Sequence, residues 1–401
     1  MSDDDFDILV IGGGIAGSAL AAQVAAGKRV AVLEMEEQPG YHSTGRSAAL
    51  FAECYGNKVV RALTRASRDF FFSPRIEFSD ARLVVPRKII LFGREERRAA
   101  FEAFVADEIP GLNLELIDAP AALALCPVLR SEGLLGAVVD SGSADIEVHT
   151  LHQSYIRQLR RHGGQLILGA RVDAIGYDPA AGLWTVDTAV GSYRAAILVN
   201  AAGAWADVIA GMAGANRIGI EPRRRTAALI DVPDGMDAHN WPMTLDVEES
   251  FYMKPDAGLL LISPADETIS EPGDAQAEEL DIAIAADRIE TYTTIEVRRI
   301  KSKWAGLRSF VRDRAPVVGF DPDRPGFFWM AALGGYGIQT APALSSLAAR
   351  LIARLPIHDE LKAMQILEED LSPARLFNTV SHGEPKAIVS SVTEMGERAL
   401  S

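Results

Sequence analysis

The sequence predicts a mixed α/β (α+β) fold, in which a parallel-sheet unit at the N-terminus is joined to an antiparallel sheet. Three observations lead to this prediction. A short apolar strand runs directly into a glycine-rich turn and an alanine-rich helix, and a second apolar strand follows. Later in the chain, residues 218–299 alternate between apolar and polar side chains. The first two patterns are typical of a βαβ unit, and the third is typical of half-buried antiparallel strands.

The βαβ unit begins with a strand over residues 7–11 and the glycine-rich turn that contains Gly12, Gly14 and Gly17. Gly12 permits the tight turn, Gly14 allows a pyrophosphate to approach the backbone, and Gly17 lets the helix pack closely on the sheet. The phosphate would lie at a helix N-terminus, where unpaired N–H groups and the helix dipole stabilise negative charge. The unit is therefore predicted to be Rossmann-like.

The second strand, residues 29–33, ends at Glu34, 17 positions after Gly17. A carboxylate at this place is suited to accept hydrogen bonds from both hydroxyls of an adenosine ribose, and it would repel a 2′-phosphate. The pattern thus favours FAD or NAD over NADP. An ordinary strand, turn and helix without a ligand is the alternative.

Composition and charge narrow the class of protein. The chain has 401 residues, enough for two or three domains, and a formal net charge of −15. Such acidity argues against a nucleic-acid partner or an anionic membrane surface. The most apolar stretch, residues 195–215, contains Asn200 and Asp207. No integral membrane segment is therefore predicted.

The cysteines and histidines indicate the compartment and exclude a metal site. Cys54 and Cys126 are the only cysteines, and the seven histidines are scattered along the chain. His149 and His152 share a helical face, but without a carboxylate at matching spacing they are expected to be surface or packing residues. The acidic N-terminus does not resemble a signal peptide. We expect a cytoplasmic protein, with peripheral association with the inner membrane as an alternative.

The remaining elements follow in order. A Gly/Ser/Thr-rich loop at residues 40–47 is predicted to wrap a ligand, with a solvated turn as the alternative. The apolar periodicity predicts helices over residues 57–71, 95–108, 149–162 and 340–355. It predicts strands over residues 165–168, 171–177, 184–186, 193–200, 226–232, 251–253, 259–262 and 327–332. Two further glycine turns, at residues 201–205 and 334–337, follow strands.

These elements predict a discontinuous domain organisation. Residues 1–80, 145–217 and 300–372 are expected to form the nucleotide-binding domain. Residues 81–144 and 218–299 are expected to form a substrate-binding domain with an antiparallel sheet. Residues 373–401 read as a polar, poorly ordered tail. A pocket at the boundary between the two domains is where a substrate would bind.

Several longer stretches occur in one order: residues 39–49, 198–205, 250–258, 304–310 and 334–340. With them, the chain resembles the D-amino-acid-oxidase superfamily of FAD-dependent oxidoreductases over residues 5–376, and within it most closely the D-arginine dehydrogenases. The resemblance implies FAD rather than NAD. It also implies non-covalent binding, because relatives with covalent flavin use a cysteine near residues 334–337, and this chain has none there.

The resemblance also implies which residues contact FAD. The first glycines would meet the pyrophosphate, Glu34 the adenosine ribose and Val172 the adenine. The N–H groups of residues 334–338 would approach the pyrimidine edge of the flavin, where they can stabilise the reduced form. The full set is Gly12, Gly14, Ile15, Ala16, Gly17, Glu34, Ser43, Thr44, Gly45, Arg46, Ser47, Val172, Ala202, Gly203, Trp205, Gly306, Gly334, Gly335, Tyr336, Gly337 and Ile338.

For the substrate, the resemblance points to five residues. Arg308 would bind a carboxylate in a two-point geometry that lysine cannot offer, and Tyr252 would donate a second hydrogen bond. Arg225 would face the substrate, Tyr55 would sit on a mobile loop over the pocket, and the Gly335 carbonyl would accept from the substrate amine. The alternatives are a solvated strand edge for Arg225 and a structural ion pair for Arg308.

Two positions depart from the D-arginine dehydrogenase pattern. Ile89 replaces a glutamate that pairs with a substrate guanidinium, and Leu50 replaces a pocket histidine. A cationic side chain would lack its partner, so we expect a D-amino acid with an apolar side chain, such as leucine, methionine, phenylalanine or valine. If the register shifts by one residue, Lys88 could instead receive an acidic side chain.

The expected reaction is FAD-dependent oxidation of a D-amino acid to a 2-oxo acid and ammonia, by hydride transfer to flavin N5. Either a quinone or oxygen would accept the electrons. Two alternatives remain: oxidation of an N-substituted glycine or 2-hydroxy acid, which also needs a carboxylate clamp, and a flavin-binding protein without turnover.

Overall fold

The computed structural model describes residues 4–108 and 112–377. Its strands are β1 Asp5–Ile11, β2 Val30–Leu33, β3 Leu50–Phe51, β4 Val84–Pro86, β5 Ile89–Arg94, β6 Leu114–Asp118, β7 Leu134–Asp140, β8 Ala144–Ile146, β9 Gln165–Ile167, β10 Val172–Asp178, β11 Leu183–Thr188, β12 Gly191–Asn200, β13 Glu221–Ile230, β14 Met243–Asp246, β15 Tyr252–Asp256, β16 Leu259–Ser263, β17 Thr268–Ile269, β18 Ile300–Phe310, β19 Val317–Phe320 and β20 Phe327–Ala331. Its α-helices are α1 Ile15–Val24, α2 Lys58–Ala66, α3 Arg68–Phe72, α4 Arg98–Glu108, α5 Ala119–Leu125, α6 Val148–Arg161, α7 Ala206–Met212, α8 Glu279–Tyr292, α9 Gly337–Ile352, α10 Asp359–Ala363 and α11 Ala374–Phe377.

The first sheet contains the predicted βαβ unit. Strand β1 pairs in parallel with β2 and β12, β2 pairs in parallel with β9, and β12 pairs in parallel with β20. Because these strands run the same way, Gly12, Glu34 and Ala201 leave the sheet at one edge. Ligands of doubly wound sheets bind at this edge, beyond the carboxyl ends of the strands. Strands β10, β11 and β19 extend the sheet by antiparallel pairs.

Helix α1 packs close to the sheet because its first turn carries no side chain at Gly17. A Cβ atom on Gly17 would lie 2.0 Å from the carbonyl oxygen of Gly12. The helix also contacts α6 and α9, and together they bury one face of the sheet. The packing reason predicted for Gly17 is therefore present in the fold.

The second sheet is antiparallel except for the parallel pair of β14 and β5. Its strand order is β17-β13-β16-β15-β14-β5-β7-β6, and β18 also pairs with β13. One face packs on α8, a helix that the sequence reading did not assign although Ile282, Ala285 and Ile289 are buried at helical spacing. The other face carries Tyr252, Ala227 and Ile89.

A small third sheet has the strand order β3-β8-β4, and its side chains pack into the cores of both larger sheets. Phe51, Ala144 and Ile146 contribute to the core of the nucleotide-binding part, whereas Leu50 packs with the apolar residues of the second sheet. This small sheet therefore connects the two cores.

The expected domain boundaries stay predictions, and two features of the fold bear on them. Strand β18, in the segment 300–372 that was expected in the nucleotide-binding domain, pairs with β13 of the second sheet and carries Arg308. The tail was expected to be poorly ordered from residue 373. Instead, residues 374–377 form α11, and Arg375 pairs with Asp313 at 2.7 Å. The rest of the expected tail, residues 378–401, lies outside the described residues.

Among the helices of the described ranges, none is both long enough and apolar enough to cross a bilayer.

Candidate active site

A cavity of about 530 Å³ lies between the edge of the first sheet and the second sheet. Its wall combines the glycine-rich turn after β1, the loop at residues 40–48, the turn before α9, and side chains of β13, β15 and β18. One continuous cavity therefore touches residues predicted for the cofactor and residues predicted for the substrate.

Most of the predicted site residues line this cavity. Four of the five residues expected to contact the substrate do so: Arg225, Tyr252, Arg308 and Gly335. Gly335 was also predicted to contact the cofactor. The lining residues predicted for the cofactor alone are Gly12, Gly14, Ile15, Ala16, Glu34, Ser43, Thr44, Arg46, Ser47, Val172, Ala202, Gly203, Trp205, Gly306, Gly334, Gly337 and Ile338.

Six predicted residues do not line the cavity. Gly17 contacts the turn from behind, and Gly45 closes the loop through a hydrogen bond from its N–H to the Gly40 carbonyl, 2.7 Å long. The other four are Tyr55, Tyr336, Leu50 and Ile89, which pack in the layer of side chains next to it.

The glycine-rich turn forms a cradle without room for side chains. Gly12 has a φ of +107°, and a Cβ atom there would lie 2.5 Å from the Ala201 carbonyl oxygen. Helix α1 begins after Gly14 with no side-chain cap. The N–H of Ile15 donates to Thr44 Oγ1 at 3.0 Å. An uncapped helix N-terminus beside a cavity is a binding place for a phosphate.

Glu34 is fixed by two backbone hydrogen bonds. Its Oε2 accepts from Gly13 N at 2.8 Å and its Oε1 accepts from Glu36 N at 2.9 Å. Burial raises the pKa of the Glu34 carboxyl, and the two N–H donors oppose that shift. Each carboxylate oxygen keeps a second lone pair, so both remain available to hydroxyl donors.

Two histidines that were not predicted to contact the cofactor lie close to the glycine-rich turn and Glu34. His42 Nε2 lies 2.8 Å from Glu36 Oε1, and its ring packs on Trp205 at 4.8 Å. His152, from α6, has its Nε2 2.9 Å from the Gly13 carbonyl oxygen, so it donates to the turn. Burial lowers the pKa of His152, which keeps the ring neutral. His152 was expected to be a surface or packing residue, and its buried position identifies it as a packing residue that also bonds the turn.

A second helix N-terminus meets the cavity at the substrate end. Gly334 has a φ of +54°, and its N–H donates to the Ser309 carbonyl at 2.9 Å. Helix α9 then begins at Gly337 without a side-chain cap. Gly337 and Ile338 both line the cavity. Their N–H groups and the helix dipole would stabilise negative charge on a bound group.

These features together fit FAD. The glycine cradle and the uncapped α1 suit a pyrophosphate, the Glu34 oxygens suit a ribose, and the uncapped α9 suits a ring system that gains negative charge on reduction. Within the described ranges, no cluster of His, Cys, Asp and Glu side chains has the arrangement of a metal site.

Arg308 is a cation without a contacting anion. Among the described residues, no carboxylate oxygen lies within 4.0 Å of its guanidinium, and its one hydrogen bond runs from Nη1 to Tyr55 Oη at 3.1 Å. Glu249 and Glu267 act on its charge from beyond contact distance. An arginine stays charged at all relevant pH values, so this site favours an anionic ligand.

Arg225 also reaches the cavity, but its guanidinium is already engaged. Nε donates to the Asp266 carbonyl at 2.8 Å and Nη2 donates to Glu267 Oε1 at 3.2 Å. The side chain is 12% exposed, so the alternative of a solvated strand edge does not describe it. The register of β13 and β18 places Arg225 opposite Gly306 and puts it on the same face as Arg308.

The loop that carries Tyr55 is held at both ends. The Ala52 N–H donates to Gln339 Oε1 at 3.0 Å, and Asn57 Nδ2 donates to the Arg314 carbonyl at 3.1 Å. The Tyr55 ring packs edge-on against Tyr336 at 5.0 Å. These contacts hold the Tyr55 hydroxyl against Arg308. The mobility expected for this loop stays a prediction.

Leu50 and Ile89 belong to an apolar cluster behind Tyr252, which also contains Leu91 and Leu245. The residue opposite Leu50 in β8 is Asp145. Its two oxygens are bound by two different cations.

Asp145 is paired with Lys254 Nζ at 2.7 Å and with Arg87 Nε at 2.8 Å. The three side chains are 17%, 7% and 11% exposed, in that order. Each oxygen therefore has a strong internal partner. This carboxylate is not free to pair with a cationic substrate side chain.

Comparison with known proteins identifies relatives that are FAD-dependent oxidoreductases, in agreement with a cavity that fits FAD. A family model described as DAO, FAD dependent oxidoreductase, matches residues 7–351. Glycine oxidase of Bacillus licheniformis is 25% identical over 88% of this chain and 95% of its own length. FAD-dependent oxidoreductase domain-containing protein 1 of Bos taurus is 28% identical, but the match spans 39% of this chain and only 35% of that protein.

Among solved structures, L-proline dehydrogenase from P. horikoshii superimposes with a TM-score of 0.76 at 20% identity, over 93% of this chain and 98% of that one. This likeness shows the mixed α/β fold. The closer resemblance to the D-arginine dehydrogenases stays a prediction.

Proposed function

This chain belongs to the DAO family of FAD-dependent oxidoreductases, and on that premise we propose that it oxidises the α C–N bond of an amino acid whose carboxylate is bound by Arg308. The specific proposal is a D-amino acid with an apolar side chain, converted to an imino acid that water hydrolyses to a 2-oxo acid and ammonia. A quinone or oxygen would reoxidise the cofactor.

One observation carries the proposal: Arg308 reaches the cavity, and no carboxylate in residues 4–108 or 112–377 contacts its guanidinium. An uncompensated guanidinium in a partly enclosed site is costly, and a substrate carboxylate would remove that cost. The planar fork also fixes the ligand in two directions. Tyr252 lines the same cavity and would donate to the same carboxylate.

The residues of the chain would supply orientation and charge. FAD, when bound, supplies the hydride acceptor. Arg308 and Tyr252 would hold the carboxylate so that the α-hydrogen faces the cofactor, and the Gly335 carbonyl would accept a hydrogen bond from the substrate amine. The N–H groups at the start of α9 would stabilise developing negative charge. No side chain is assigned as general base.

The proposed preference for an apolar substrate side chain is supported by the cluster around Ile89 and Leu50. This cluster packs behind Ala227 and Tyr252, which line the cavity. Ile89, Leu91 and Leu245 lie on the face of the second sheet that carries Tyr252. The carboxylate nearby in the small sheet, Asp145, is occupied by Lys254 and Arg87. A substrate guanidinium or ammonium would therefore find no free partner there, which disfavours D-arginine and D-lysine.

Anaerobic mixing of the FAD-loaded protein with separate D- and L-amino acids tests this function. We expect flavin bleaching by D-leucine, D-methionine, D-phenylalanine or D-valine and not by their L-isomers. A clear preference for D-arginine or D-lysine would contradict the side-chain proposal, and bleaching by L-isomers alone would contradict the stereochemical one.

A second candidate is oxidation of an N-substituted glycine or a 2-hydroxy acid. It is favoured by the 25% identity to a glycine oxidase across nearly the whole chain. Such substrates also need a carboxylate clamp, so Arg308 would serve them equally. Bleaching by sarcosine or a hydroxy acid, and not by D-amino acids, would support this alternative.

A further inference from the structure

In the described part of the chain, four arginines line the cavity, and two of them, Arg225 and Arg308, lie on neighbouring strands but differ in their ion pairing. Arg225 and Arg308 both line it, from adjacent antiparallel strands and from the same face. Arg308 pairs in register with Arg223, so Arg225 stands two residues along, a diagonal separation of about 7–8 Å between Cα atoms. The two guanidinium groups could therefore serve two carboxylates on one small ligand.

Glu267 opposes this, because it forms an ion pair with Arg225. Its Oε1 accepts from Arg225 Nη2 at 3.2 Å, and both of its oxygens accept from Arg314, at 2.8 and 3.0 Å. Burial acts to raise the pKa of Glu267, but the Arg314 hydrogen bonds and the charges of Arg314, Arg225 and Arg308 leave it below its ordinary value. The carboxylate is thus ionised throughout the neutral range.

The position of Glu267 is itself fixed by packing. Arg314 has a φ of +56°, and its guanidinium lies 3.9 Å from the centre of the Phe310 ring. It holds Glu267 in a two-point geometry, which fixes direction as well as distance. Arg225 is further held by the Asp266 carbonyl at 2.8 Å. The group that compensates Arg225 is therefore built into the protein, whereas Arg308 has no equivalent.

We propose that Glu267 is a specificity-determining residue, which acts as the internal counter-ion of Arg225 and limits the cavity to ligands with one carboxylate. This inference rests on the proposed function, because it takes Arg308 as the carboxylate clamp. A second carboxylate on a ligand would be repelled by Glu267 and would lose its hydration without gaining a free cation. Removing the charge of Glu267 exposes Arg225 as a second clamp.

The test compares butyrate and succinate, two non-reacting acids of equal chain length, by titration of the flavin absorbance of the FAD-loaded protein. We expect succinate to bind the unchanged protein no more tightly than butyrate. In Glu267→Gln we expect the ratio of succinate affinity to butyrate affinity to rise by about tenfold, the scale of one charge-assisted hydrogen bond. Glu267→Asp, which keeps the charge, should leave the ratio near that of the unchanged protein.

Two controls separate selectivity from structural damage. Glu221→Gln removes a carboxylate from β13, the strand that carries Arg225; Glu221 pairs there with Arg223 at 2.7 Å. This change should leave the ratio of succinate affinity to butyrate affinity unchanged. Arg225→Met in the Glu267→Gln background should cancel the gain. If Glu267→Gln weakens both acids equally, Glu267 is only structural and the proposal is wrong.

The unchanged protein provides a test that does not depend on any variant folding. Succinate binding that is tenfold tighter than butyrate binding would overturn the proposal directly. Because both acids are non-reacting, failure of D-amino acids to bleach the flavin would contradict the proposed function without altering this result.

Discussion

The guanidinium of Arg308 packs directly on Gly335. A Cβ atom on Gly335 would lie 2.8 Å from Cζ of Arg308 and 2.9 Å from its Nε and Nη1. Contacts this short would force the guanidinium to shift, so the absence of a side chain at Gly335 allows the arginine to occupy this place. The turn before α9 therefore positions the cation that we assign to the substrate.

Gly335→Ala tests that relationship. The added methyl group should displace the Arg308 guanidinium and raise KM for the substrate roughly tenfold, the scale of one hydrogen bond to a charged group. Steady-state kinetics with the best substrate of the anaerobic screen would measure this. The FAD content should stay near that of the unchanged protein. An unaltered KM would show that the cation does not depend on Gly335.

Tyr55→Phe removes the one hydrogen bond that the guanidinium of Arg308 makes to a residue within the described part of the chain. The ring contact with Tyr336 would remain, so the loop should stay in place and thermal stability should change little. We expect KM to rise about threefold to tenfold, because the cation loses one orienting partner. Tyr177→Phe, in β10, where the ring packs on Trp184 and not on Arg308, is the matched control and should not alter KM. A Tyr55→Phe protein with unchanged KM would exclude an orienting role.

Gly17→Ala tests the packing of α1. The methyl carbon would lie 2.0 Å from the backbone oxygen of Gly12, so the helix would have to move away from the turn. We expect loss of most bound FAD after purification and a lower melting temperature. Gly176→Ala adds the same group where no atom lies within 4 Å, and it should retain FAD. Full FAD content in Gly17→Ala would contradict the close packing described here.

Asp145→Asn tests the network that joins the small sheet to the second sheet. The change leaves Lys254 and Arg87 without their shared counter-ion, and both are largely buried. We expect the free energy of unfolding to fall by about 3 kcal/mol, as is typical when one partner of a buried ion pair is removed. Urea denaturation of the FAD-loaded protein measures it. Asp359→Asn, which removes a fully exposed partner of Lys362, should have no measurable effect. Equal stability of both variants would refute the network's role.

Local sequence patterns were sufficient to predict the nucleotide-binding part. A glycine at position 12 and an acid at position 34 are recognisable because few residue types allow the tight turn or accept hydrogen bonds from a ribose. Both residues line the same cavity. The antiparallel sheet was predicted from alternation, although the pairing of β18 with β13 was not. Strand pairing depends on residues far apart in the chain, so no local pattern reports it.

The ion pairs around the substrate end of the cavity could not be predicted from the sequence either, because their partners are far apart in the chain. Glu267 and Arg314 are 47 positions apart, and Asp145 and Lys254 are 109 positions apart. A run of arginines at residues 223–225 did indicate cations at one strand. It could not indicate which of them has an internal counter-ion, because that depends on Glu278 and Asp281 for Arg224 and on Glu267 for Arg225.

Helix α8 is a different case, because a local signal was present. Ile282, Ala285 and Ile289 are spaced by three and four residues and are buried against the second sheet. The acidic residues Glu279 and Asp281 in the first turn are also typical of a helix start. The strands predicted within residues 218–299 lie at residues 226–232, 251–253 and 259–262, and no element was predicted over the residues of α8.

The most direct test of the account is the dissociation constant of butyrate for the FAD-loaded protein and for Arg308→Met, measured by flavin absorbance. If Arg308 is the uncompensated cation that binds the substrate carboxylate, the variant should keep FAD and bind butyrate at least about a hundredfold more weakly, the scale of a lost two-point ionic contact. Equal affinity of the two proteins for butyrate would contradict the central claim.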